Sequence, residues 1–122
     1  MASAKLVKRI KPSAAGQLAG RLDREALDDM TREFALLAHP VRLQILDVLA
    51  NGEGSVCVSD LEQAVPVNQA TVSHHLRLLR EAGLVGSEKR GLWAYYFVNE
   101  EAVAALKGRI VEGLEGFSAA RR

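Results

Sequence analysis

Ser73, His74 and Arg77 lie within five residues of one another, in the segment NQATVSHHLRLLREAGLV at 68–85. They offer a hydroxyl, an imidazole and a guanidinium fork, groups that hydrogen-bond to guanine acceptors or to phosphate oxygens. Lys89, Arg90 and Gly91 follow a short way downstream, two cations beside a turn residue. The remaining reactive groups are few: one thiol, Cys57, and two further imidazoles, His39 and His75. Consecutive residues on a helix point about 100° apart, so His74 and His75 cannot serve one reacting atom together. With no third residue to orient a Cys57 nucleophile, the constellation an enzyme needs is missing, and no catalytic role is expected.

The elements that carry these groups follow from local signals. From Val72, helical spacing puts Leu76 and Leu79 in one narrow apolar sector. The opposite side then holds Ala70, Ser73, His74, Arg77 and Glu81, with His75 toward the edge of the apolar sector as a structural residue or phosphate contact. Asn68 is a good cap, and Gly83 stops the helix near Ala82. Gln69 and Thr71 fall in the first turn, the part that enters deepest into a DNA groove. The expected contacts are therefore Asn68, Gln69, Ala70, Thr71, Ser73, His74 and Arg77, with Lys89, Arg90 and Gly91 from the hairpin.

Upstream, Ser59 and Glu62 have capping-box spacing, which predicts a short helix at 60–64 capped by Ser59 and broken at Pro66. Two short helices joined by a tight turn make a helix-turn-helix. Residues 84–88 and 92–99 read as paired strands around Lys89-Arg90-Gly91, rich in aromatic residues that favour strand. The fold class is thus mainly α with a small β-hairpin, a winged helix-turn-helix. A further helix over 22–38 carries Leu27, Met30, Phe34 and Leu37 on one stripe. Another starts at Pro40 and runs through VRLQILDVLA, apolar on most sides. The last is capped by Asn99 and carries Val103, Leu106, Ile110, Leu114 and Phe117, with Gly108, Gly113 and Gly116 expected to fray its end.

Composition sets the outer limits. The 122 residues suit one domain, read as 22–117 between a basic arm at 1–21 and a tail at 118–122. Lys5, Lys8, Arg9, Lys11 and Arg21 make that arm basic before four acids crowd into 23–29. Net charge is +1 and alone says nothing about nucleic acid. No run of about 18 apolar residues suggests a membrane span, and the N-terminus lacks a secretory pattern. One cysteine excludes an internal disulfide and fits the cytoplasm.

Four segments carry a family resemblance: LAHPVRLQILDVL at 37–49, VCVSDL at 56–61, residues 68–85 as quoted, and RGLWAYYFV at 90–98. In their order and spacing the chain resembles the ArsR/SmtB bacterial repressors. The resemblance implies a homodimer built from the first and last helices. It implies binding to an imperfect inverted repeat in double-stranded promoter DNA, with repression until an effector binds. In the family a Cys-Val-Cys-Asp-Leu segment grips arsenite or soft metals; here Cys57 matches the first cysteine and Ser59 stands at the second. A hydroxyl is a poor soft-metal ligand. The family's zinc site on the last helix uses Asp and His, whereas residues 100–117 offer Glu100, Glu101, Glu112 and Glu115 without histidine. No metal site is assigned. Three readings stay open: release by a thiophilic metal or metalloid at Cys57, thiol-based redox sensing through Cys57, and a regulator with no metal inducer.

Overall fold

The computed structural model describes residues 18–118, so most of the basic arm and residues 119–122 of the tail lie outside the described residues. Helix α1 (Arg24–Leu37) is capped by Asp23, whose carboxylate accepts from the Ala26 N–H at 2.9 Å. Helix α2 (Pro40–Asn51) starts on proline, and His39 Nδ1 accepts from the Val41 N–H at 3.1 Å. Strand β1 (Val56–Cys57) leads into α3 (Val58–Ala64). Helix α4 (Gln69–Glu81), strands β2 (Val85–Arg90) and β3 (Trp93–Val98), and helix α5 (Glu100–Ser118) complete the chain. The antiparallel sheet has the order β1-β3-β2.

Three expectations change. First, the hairpin becomes a three-stranded sheet, because Val56 pairs with Tyr96 and Cys57 with Tyr95. Second, Ser59 is not a helix cap. Pairing with β3 holds Cys57 extended, so the chain turns into α3 directly after it, and Cys57 takes the cap position without a side-chain bond. Ser59 then lies in the first turn, its Oγ 3.5 Å from Cys57 Sγ. Third, Lys89 and Arg90 end strand β2 instead of forming the turn. Arg90 faces Trp93 in the register, leaving Gly91-Leu92 as a two-residue loop. Gly91 has φ 66°, while no described residue other than glycine has positive φ, the pattern of a type II′ turn.

The core is contiguous. Ile45 and Leu49 of α2, Leu61 of α3, Val72, Leu76 and Leu79 of α4, Leu84 and Val85 entering β2, and Leu106 of α5 are all buried. Burial of each such side chain stabilises by about 1.5–3 kcal/mol. Helix α2 lies at the centre and touches α1, α3, α4 and β3. Helix α5 runs to Ser118 despite its three glycines. Its Gly113 lets Met30 of α1 pack where a side chain would stand, with the methyl carbon 2.9 Å from an ideal Cβ. Only the first half of the α5 stripe reaches the core. Leu114 and Phe117 remain 47% and 64% exposed, and Leu27 and Phe34 of α1 are also exposed.

Candidate nucleic-acid interface

Helix α4 is fixed at both ends and along one side. At its start, Asn68 Oδ1 accepts from the Thr71 N–H at 2.8 Å. At its end, Gly83 takes φ 82° and donates to the Arg80 carbonyl at 2.9 Å, while Leu84 donates to the Leu79 carbonyl at 3.0 Å. These are the two bonds of a Schellman motif, completed by contact between two buried leucines. Val72, His75, Leu76 and Leu79 hold the inner side in the core. The outer side is therefore presented on a rigid support: Gln69, Ala70, Ser73, His74 and Arg77 are exposed, and Thr71 is half-buried.

His75 settles on the structural side of its two expected roles. It is 6% exposed, and its Nδ1 accepts from Arg42 Nη1 at 2.9 Å. Its ring sits 4.2 Å from that of His39 and 5.0 Å from that of His74, so all three histidines converge. Burial, reinforced by His39, Arg42 and His74 nearby, holds the His75 pKa below its ordinary value and favours the neutral ring. His74 is tied on the outer side as well, with its Nδ1 accepting from Arg77 Nη2 at 3.1 Å. That contact pre-orients two of the expected base-reading groups together.

The wing differs from expectation in detail. Arg90 folds back: its Nε donates to Glu88 Oε2 at 2.7 Å and its Nη2 to Ser55 Oγ at 3.1 Å, with its guanidinium carbon 4.4 Å from the Tyr95 ring centroid. Lys89, exposed one residue earlier, has no such partner among the described residues. Between α4 and β2 lies a cleft of about 400 Å³ lined by Arg77, Arg80, Glu81 and Ser87. Arg80 was missed by sequence reasoning, although it continues the spacing Ser73, Arg77, Arg80 along the helix. Two arginines and a hydroxyl, beside the Glu81 carboxylate, thus meet at the junction of helix and wing, donors of the kind that bind phosphate.

Cys57 is half-buried, beside Ser59 at the start of α3. Among the described residues, no group of three or more His, Cys, Asp or Glu side chains is placed to hold a metal ion. No helix there is long and apolar enough to cross a membrane.

Comparison with known proteins agrees with this arrangement. The family model described as bacterial regulatory protein, arsR family, matches residues 39–87, from the start of α2 into the wing. An arsenical resistance operon repressor of Bacillus subtilis is 38% identical over 82 residues, covering 67% of this chain and 77% of that protein. A homologue of a cadmium resistance transcriptional regulatory protein from Staphylococcus aureus is 37% identical over 78 residues, covering 64% of each. A winged helix-turn-helix DNA-binding domain of a possible ArsR-family regulator from Mycobacterium bovis, homodimeric in solution, aligns with TM-score 0.56 and 35% identity. It covers 80% of this chain and 92% of that one. The chain belongs to the arsR family of bacterial regulatory proteins, and α3, α4 and the adjoining sheet form the family's DNA-binding winged helix-turn-helix.

Proposed function

We propose that the chain acts in the cytoplasm as a homodimeric transcriptional repressor that lays α4 in the major groove of an inverted-repeat promoter site. The observation that carries this reading is the split of α4 into a buried side and an exposed side bearing Ala70, Ser73, His74 and Arg77. Asn68, Gln69 and Thr71 lie at the groove-entering end; Lys89 and Gly91 of the wing, with Arg90, stand over the flanking backbone. The exposed Leu27, Phe34, Leu114 and Phe117 supply an apolar face for a second copy.

The test is binding to a duplex selected from a random pool, measured against unselected duplex over a salt series. Affinity should fall linearly in log–log terms and should favour the selected sequence. Equal affinity for both would overturn the reading. Arg77→Ala should cost about 1–3 kcal/mol on the selected site, whereas Lys89→Ala should weaken all sequences alike and flatten the salt slope.

Release is read separately. Cys57 is the chain's only thiol, so an oxidant, a thiophilic metal or a metalloid acting through a thiol must act there. If such agents still release a Cys57→Ala variant from DNA, the thiol is not the sensor; if none of them releases the native protein, a regulator without a metal inducer is left.

A further inference from the structure

Between α1, α5 and the C-terminal end of α4 runs a groove of about 830 Å³, within the size range of small-molecule sites. Its floor is apolar, built from Leu22, Met30, Leu36, Leu78, Leu84 and Leu106. Its lining carries four guanidiniums, Arg21, Arg32, Arg42 and Arg109, against three carboxylates, Asp29, Glu33 and Glu112. Arg32 is paired with Asp29 and Arg109 with Glu33. Arg21 and Arg42 have no carboxylate partner among the described residues, so the lining is one positive charge in excess. An apolar floor with one surplus cation suits a ligand with an apolar body and one anionic head.

The groove borders the apolar face assigned to the second copy. At about 100° per residue, Leu114 and Val111 lie roughly 100–160° round α5 from Arg109, Glu112 and Gly113. On α1, Leu27 and Phe34 lie roughly 80–160° from Ala26, Asp29 and Glu33 by the same count. A copy seated on Leu27, Val111 and Leu114 leaves the groove open, with Phe117, about 40° from Gly113, and Phe34, about 40° from Met30, at its rim.

One lining residue connects this space to the DNA-facing helix. Arg42 Nε and Nη2 donate to the carbonyls of Leu36 and Ala35, in the last turn of α1, at 2.6 and 3.0 Å. Its Nη1 donates to His75 on the inner side of α4. Leu78 and Ala82 of α4 also line the groove.

We propose that this groove is an effector site for a small organic acid, with its tail on the leucine floor and its carboxylate on Arg42. The inference rests on the repressor reading. The carboxylate competes for the Arg42 N–H that His75 now accepts, loosening the tie between α1 and α4. Acid and DNA then bind antagonistically, each weakening the other by the same factor.

The test uses the full chain, the selected duplex and decanoate as probe, with decan-1-ol as its uncharged counterpart, both below aggregating concentrations. The expected result is one decanoate per protomer by calorimetry, little uptake of decanol, and a fall in DNA affinity of about tenfold. Ala26→Trp fills the groove away from the DNA face and should abolish uptake while leaving DNA affinity unchanged. Should that variant fail to fold, Ala26→Met should lower uptake in the same direction. No uptake by a dimer that binds DNA, equal uptake of decanol, uptake unaffected by Ala26→Met, or uptake without loss of DNA affinity would each overturn the proposal. If the chain shows no preference for the selected duplex before any decanoate is added, the repressor reading fails instead.

Discussion

His75 illustrates how a residue's role is set by what surrounds it. Its neighbour His74 has the same chemistry and faces outward, yet His75 is buried against Arg42 and His39. Its depressed pKa has a consequence for stability. The unfolded chain takes up a proton on this ring near the ordinary value of 6.5, while the folded protein resists it to lower pH. Below that ordinary value the unfolded state therefore binds more protons, and stability falls as pH falls through the window between the two. Acidification from neutral pH should lower the chemical-denaturation midpoint of the native protein, and His75→Gln should flatten that dependence. A slope unchanged in the variant would place the acid sensitivity elsewhere. Arg80 is the second residue to revise the picture. Its place in the cleft between α4 and β2 predicts that Arg80→Ala lowers affinity for all duplexes and reduces the salt slope by about one.

Among the elements, those with local signals were legible from sequence. Asn68 and Asn99 each cap the helix they were expected to start, and Pro40 and Gly83 mark the expected boundaries, whereas the first helix begins two residues later than expected, capped by Asp23. What sequence could not show depends on partners far along the chain. Strand β1 exists only because Cys57 meets Tyr95, and that pairing displaced the cap expected at Ser59. Arg90 was read as a free wing cation because its tie to Ser55 spans 35 residues. Arg42 was read as one more residue of an apolar helix, since its partner His75 lies 33 residues on. The C-terminal stop of α4 is itself testable. Gly83→Ala forces a left-handed backbone on a residue with a Cβ and should cost about 1–2 kcal/mol by denaturation, although open space surrounds the site. Because that motif aims the chain into β2, the same variant should also weaken DNA binding.

At the scale of the whole molecule, one protomer leaves its outer helices half covered. The α5 stripe is continuous in sequence but divided in space, with Leu106 buried and Leu114 and Phe117 open to solvent. A second copy explains the division, since apolar exposure of this kind on adjacent helices marks an interface. Leu114→Glu should shift the protein to monomer in sedimentation and weaken binding to the inverted repeat far more than to a half-site. A variant that stayed dimeric would put the interface on another face.

The two-residue wing loop has one more consequence. It leaves Trp93 54% exposed at the tip of the hairpin, opposite Arg90, and this is the only indole in the chain. The protein thus carries an intrinsic optical reporter at the point where the wing would meet the duplex. Its emission should shift or quench on addition of DNA and stay constant through events confined to the groove between α1 and α5, so wing docking can be followed without a label.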